Sequence, residues 1–199
     1  FGNRQAAAQP VRGAYIDDVT ATVHVFDVAT DTLLGTVPLP GASSNATLEV
    51  AVTPDQSLAF VSEFQARRVW VVDMNTIALA AGTNPIPVSP QAEDMDITPD
   101  GRFLLVVDGS NSSDPISVVD IAARSQVSTY LTGTYRNAVA AGAGGNVLVA
   151  DGGAGAVRRL SLSGTGTLTD TGQALAASTA FNVILAPDGQ TGMVMKDVS

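Results

Sequence analysis

Short apolar runs of four to seven residues, rich in Val, Ile, Leu and Phe, alternate with polar turns along nearly the whole chain. From Asp94 the order is "DMDIT", a turn at Pro99-Asp100-Gly101, "RFLLVVD", a polar loop, "ISVVDIA", a turn at "ARSQ", and "VSTYLTG". Runs of this length between such turns predict β-strands. In the turn, proline fixes one backbone angle and glycine accepts the left-handed one.

The same grammar recurs. "AVTPDQSLAFVSE" at 51–63 and "DITPDGRFLLVVD" at 96–108 are near copies, "ILAPDGQTGMVMKD" at 184–197 is a third, and "VAAGAGGNVLVAD" at 139–151 is a worn one. Between them lie "TVHVFDVAT", "RVWVVDMNT", "PISVVDIAA" and "AVRRLSLSG", the last without its acid. Asp27, Asp73 and Asp120 stand 46 and 47 residues apart, and Pro54 and Pro99 stand 45 apart. Two motifs sharing one period predict an all-β fold, a β-propeller of four-stranded antiparallel blades repeating about every 45 residues.

The order Thr/Ser-Pro-Asp-Gly, then "LLVVD", a loop, and "VxVVDxAT" resembles the YVTN-type β-propeller repeat. In that family a Ser-Pro-Asp-Gly turn precedes a strand ending Tyr-Val-Thr-Asn, and a Val-Ser-Val-Ile-Asp strand follows. Here "LAFVSE", "LLVVDG", "VLVADG" and "MVMKDV" put acids where the namesake ending would stand. The resemblance runs from about residue 11 to the end. It implies a propeller, usually seven-bladed, on a scaffold that serves many tasks.

Residues 1–10 are expected to be an N-terminal linker or processed end. A partial blade at 11–40, full blades at 48–85, 92–132 and 136–175, and the start of another at 180–199 give three, twelve and two strands. Those seventeen strands fit neither four closed blades nor five. An open arc would expose a blade face and a raw edge strand. The expectation is a partial ring of about four to four and a half blades, completed by more of the same polypeptide or by a protein partner.

Composition narrows the chemistry. Nineteen acids against ten Lys and Arg give a net charge of −9, which repels a phosphate backbone, so no nucleic-acid partner is expected. With no cysteine there are no disulfides, thiolate nucleophiles or iron–sulfur ligands. No apolar run approaches 18 residues, so no membrane insertion is expected. His24, the single histidine, sits mid-blade in "TVHVFD", away from any serine triad or transition-metal set.

Two repeated slots map to the face where blade loops converge around a propeller's axis. One lies five residues before the turn proline, or its equivalent, at the start of the innermost strand: Glu49, Asp94, Asn137 and Asn182. One polar side chain per blade there could hold a polar ligand or a cation, or could simply line a hydrated channel wall. The second slot ends the next strand: Asp17 or Asp18, then Glu63, Asp108, Asp151 and Asp197. With Asp114 of "DGSNSSD", the acids Glu63, Asp108 and Asp151 are oxygen ligands of the kind calcium takes. The same residue types also favour tight turns on their own account. Asp27, Asp73 and Asp120 are expected to accept backbone N–H groups in the turns that follow them.

No catalytic constellation and no resident cofactor are expected, calcium aside. The leading expectation is a bacterial or archaeal propeller, extracellular, on the cell surface or periplasmic. It would act as a binding or scaffolding module within a larger protein or assembly. The alternative is a propeller enzyme or redox subunit, resembling lactone hydrolases or quinone- and haem-carrying propellers, with its catalytic residues largely outside this segment.

Overall fold

The computed structural model describes residues 11–196 other than 45, 109–112, 114, 132, 133, 135, 179 and 187. Residues 1–10, Asp114 and Asp197, named above, lie outside the described residues. Every described strand pairing is antiparallel, and the sheets follow one another in chain order.

The first sheet has three strands, β1 (Arg12–Asp17), β2 (Thr22–Asp27) and β3 (Thr32–Pro38). The second runs β4 (Thr47–Val52), β5 (Leu58–Glu63) and β6 (Arg68–Asp73). Its outer strand comes in two pieces, β7 (Ala78–Leu79) and β8 (Ile86–Pro87), both paired to β6. Asn84 spans the break. Its side chain accepts from the Val71 N–H (3.0 Å) and donates to the Val71 carbonyl (2.7 Å), as a strand backbone would. The outer strand thus reaches Pro87, two residues past the blade boundary at 85.

The third sheet holds β9 (Asp94–Ile97), β10 (Phe103–Val107), β11 (Ile116–Asp120) and β12 (Ser125–Tyr130). The fourth holds β13 (Ala138–Ala141), β14 (Asn146–Asp151), β15 (Ala156–Leu162) and β16 (Leu168–Ala176). The fifth has β17 (Ala180–Leu185) and β18 (Gly192–Lys196). Four-stranded antiparallel sheets in series make this a β-propeller, with a sheet count that fits part of a ring.

Its core is a set of seams between sheets. Val23, Val25, Val61, Trp70 and Val72 fill the first seam, and Phe60, Val69, Val71, Leu104, Val106 and Val119 the second. Leu105, Ile116, Val118, Val147, Val149 and Leu160 fill the third. The fourth is lined by smaller side chains, among them Ala138, Ala140, Ala150, Ala180 and Val183. Inner strands are therefore buried on both faces, which is why "FLLVV" reads as an unbroken apolar run.

The turns obey the chemistry expected of them. Thr53 and Thr98 each donate from Oγ1 to the turn aspartate, Asp55 or Asp100 (both 2.6 Å). Asp27, Asp73 and Asp120 each accept a backbone N–H at 2.8 Å from the turn that follows. The worn copy differs in length. Thr53, Thr98 and Ala186 close their turns on Leu58, Phe103 and Thr191, five residues on, whereas Gly142 closes on Asn146, four on. One residue fewer moves the pairing of β13 by one.

Gly145, in this shortened turn, has φ +76°, and a Cβ there would lie 2.2 Å from the Leu162 carbonyl oxygen. Gly41 has a similar φ of +73° with nothing within 4 Å. Gly41→Ala is expected to cost about 1 kcal/mol, the backbone strain alone. Gly145→Ala adds a backbone clash and should cost roughly 3 kcal/mol or more. Urea-unfolding midpoints of the two variants, measured side by side, check this.

Candidate functional site

The innermost strands β4, β9, β13 and β17 stand next to one another around the axis. The first predicted slot turns out to fasten them together. The Met95 N–H donates to Glu49 Oε2 (2.7 Å), so a second-sheet carboxyl holds the third sheet's backbone. The Val139 N–H donates to Asp94 Oδ2, and the Ala141 N–H to Asp96 Oδ2, both at 2.7 Å, joining the third sheet to the fourth. These bonds span 46, 45 and 45 residues, one repeat each.

Asn137 does something else. Because the fourth sheet's turn is one residue short, Ala138 and Ala140 face the fifth sheet, where Asp94 and Asp96 face the fourth from β9. A shift of one residue exchanges the two faces of a strand. Asn137 is left just before β13, donating from Nδ2 to the Ala180 carbonyl (2.7 Å). The fourth seam is thus fastened by a neutral amide and the two before it by carboxyl groups. Asn182 lines a cavity of about 280 Å³ with Glu49, Asp94, Asp96, Val139 and Ile184.

Burial and crowding set the charge in this cavity. Burial first, then the neighbouring Asp94 charge and hydrogen bond, push Glu49 up to about 9. Burial also raises Asp94 and Asp96, against the partial offset of the backbone N–H bonds they accept. The interaction of the two side chains raises Glu49 and lowers Asp94, so of the pair Glu49 is the group that keeps its proton.

Two acids of the second predicted slot, Glu63 and Asp151, are committed to arginines of their own sheets. Buried Glu63 accepts from Arg68 Nε (2.5 Å), Trp70 Nε1 (2.8 Å) and the Ser43 N–H (3.2 Å), and the Arg68 guanidinium lies 5.0 Å from the Trp70 ring centre. Burial raises the Glu63 carboxyl, yet the Arg68, Trp70 and Ser43 bonds together leave it below its ordinary value. Asp151 accepts from Arg158 Nε (2.6 Å) and the Ala154 N–H (3.0 Å). Asp108 is buried, and its carbonyl accepts the N–H of equally buried Arg136 (3.3 Å). Among the described residues no three His, Cys, Asp or Glu side chains converge as a metal cage. His24 stacks on Tyr15 (4.5 Å between ring centres), away from the inner strands.

Three features escaped the sequence reading. Asp96 lies two residues after Asp94 and so on the same strand face, a period-two signal in plain view. Arg68 stands directly across the β5–β6 pair from Glu63, while Arg158 sits diagonally from Asp151, so no constant spacing announces the two ion pairs. A cavity of about 530 Å³ opens at the turns, among Thr98, Arg102, Phe103, Gly144, Leu162 and Ser163. The side-chain-poor Gly-Ala-Gly-Gly turn makes room for it.

No protein-family model matches the chain, and neither does any curated protein. Solved structures do. A functionally unknown protein from Desulfotomaculum acetoxidans superposes with a TM-score of 0.80 at 22% identity, over 93% of this chain and 58% of that one. Kuenenia stuttgartiensis hydrazine synthase gives 0.68 at 17%, over 96% and 57%. The dihydro-heme d1 dehydrogenase NirN in complex with DHE gives 0.72 at 14%, over 99% and 42%. These likenesses carry the propeller fold alone, and the chain spans 42% to 58% of the length of those structures.

Two outcomes follow from the carboxyl groups. A native pKa raised above the unfolded one keeps Glu49's share of stability whole below pH 4.5 and removes it as pH rises towards about 9. Glu49→Gln keeps a donor for Asp94 and an acceptor for Met95. The melting temperature of the parent should fall between pH 5 and pH 9, and that of the variant should fall less; parallel curves would refute the seam's protonation. Glu63 has the opposite sign, its contribution present above about its ordinary value and lost as acid protonates it below that. Glu63→Ala strands Arg68 and the Trp70 N–H, and should cost about 3–5 kcal/mol in chemical denaturation at pH 7.

Proposed function

We propose that the protein is an exported or cell-surface propeller acting as a binding or scaffolding module within a larger protein or assembly. The observation that carries this reading is the state of its two end sheets. Phe181, Ile184, Met193 and Met195 of the fifth sheet are exposed by 52% to 63%, and Tyr15 and Leu33 of the first by 50% and 53%. Sheets inside the arc have both faces covered, so these two want neighbours of the same kind. The inner polar side chains, meanwhile, are spent on holding sheets together, which suits a rigid frame better than a reaction centre.

Localisation outside the cytoplasm belongs to this proposal, and the cysteine-free chain is compatible with it. A second reading has one observation behind it: two similar structures are named as enzymes, a synthase and a dehydrogenase. On that reading the catalytic residues would lie largely outside this segment.

Mass spectrometry on the protein purified from its native source tests the module reading. A denatured mass above the 20.3 kDa of these 199 residues, or a native mass that includes a protein partner, is the expected result. A single species of 20.3 kDa under both conditions would overturn it.

A further inference from the structure

The Pro-Asp turn recurs in the second, third and fifth sheets with one side chain left to choice. Ser57, Arg102 and Gln190 each donate their backbone N–H to the turn aspartate, Asp55, Asp100 or Asp188. The turn thus uses their main chain alone, and of the three only the third sheet places a cation there. The Arg102 guanidinium stacks 4.9 Å from the Phe103 ring centre. Among the described residues it makes no hydrogen bond and no salt bridge. The Thr98 hydroxyl is the main influence holding Asp100 below its ordinary value, and the Arg102 charge adds less.

A second departure from the repeat faces this one. In the third sheet the turn glycine Gly101 reaches across the second seam, where a Cβ on it would lie 3.5 Å from Pro54 Cδ, and the cavity there is about 190 Å³. In the fourth sheet, whose turn is one residue shorter, a Cβ on Gly144 would meet nothing within 4 Å. That turn is instead drawn against its other neighbours: a Cβ on Gly145 would lie 2.2 Å from the Leu162 carbonyl oxygen, and one on Gly142 2.8 Å from Gly189 Cα. The gap left over the third seam is the cavity of about 530 Å³, at the strand ends opposite those that carry Asp94 and Asp108. Phe103 and Leu162 give it apolar walls. Of its polar side chains, Thr98 Oγ1 is spent on Asp100 (2.6 Å) and the Phe103 N–H (3.0 Å), and Ser163 Oγ on the Thr165 and Thr167 N–H groups (3.3 and 3.0 Å). Asp100 and Arg102 complete that polar set.

We propose that this cavity binds a small organic monocarboxylate, with Arg102 taking the carboxylate and Phe103 and Leu162 the apolar body. A guanidinium offers two parallel donors that match a carboxylate, and stacking on an aromatic ring holds them in place. The volume is that of a small-molecule site. One cation beside the ionised Asp100, on a chain of net charge −9, favours a single negative charge over the two of a phosphate ester. Both walls belong to sheets with a described neighbour on each side, so the site stands apart from the question of what completes the ring.

The probe is phenylacetate, titrated into isotope-labelled protein while backbone amide NMR shifts are followed. Saturable shifts are expected at Arg102, Phe103, Gly144 and Gly164, which line the cavity. Phenylacetamide, with the same body and no charge, and acetate, with the charge and no body, should each bind at least tenfold more weakly. Arg102→Gln, at an exposed position, should weaken phenylacetate by at least tenfold, and Arg102→Lys, a point charge without the fork, should recover only part of the loss. The amide and acetate comparisons use the unaltered protein and decide the matter even where a variant fails to fold. No saturable shifts, shifts confined to residues away from this cavity, equal binding of phenylacetamide, or an affinity that Arg102→Gln leaves unaltered would overturn the proposal. Tighter binding of inorganic phosphate than of phenylacetate would overturn the ligand class.

Discussion

A sheet buried on both faces cannot satisfy itself, and this constraint shapes the whole molecule. Each of the middle sheets presents apolar side chains fore and aft, so each is stable only between two others. The hydrophobic effect supplies the attraction but is in itself non-directional. Direction comes from the inner edge, where Glu49, Asp94, Asp96 and Asn137 bind the backbone of the next sheet and set its height and rotation. Apolar seams give the stack its strength, and a few polar bonds near the axis give it its register.

Much of this was legible in the residues. The period, the turn chemistry of Thr98-Pro99-Asp100-Gly101, and the strand-ending acids at Asp27, Asp73 and Asp120 all follow from local rules that tertiary contacts reinforce. The position of Glu49 and Asp94 was legible too, but their work was not. A carboxyl at an inner edge looks the same in sequence whether it faces a solute or the next sheet's N–H groups, and only the approach of two strands some 45 residues apart decides. Glu63 and Asp151 present the same ambiguity. They are oxygen donors by type, and what spends them is an arginine across or diagonally across a strand pair.

Asn137 taught a different lesson. Counting back from Gly142 assumed that turns keep their length, and the worn copy does not. A deletion in a turn leaves no mark in composition, yet it exchanges the faces of β13 and puts Ala138 and Ala140 where acids stand one blade earlier. Register in a hairpin is set by its turn, so turn length should be read before any repeated position is assigned a role.

That shortened turn also divides the molecule by the kind of bond that fastens it. The carboxyl-held seams around β9 respond to protons, whereas the Asn137 amide is indifferent to them. The alanine-lined fourth seam is packed with smaller side chains and keeps the same fastening bond in acid and in alkali. As the medium turns alkaline Glu49 loses its proton and the joint between β4 and β9 weakens. One repeating frame thus carries joints of two kinds, one that answers to the solvent and one that does not.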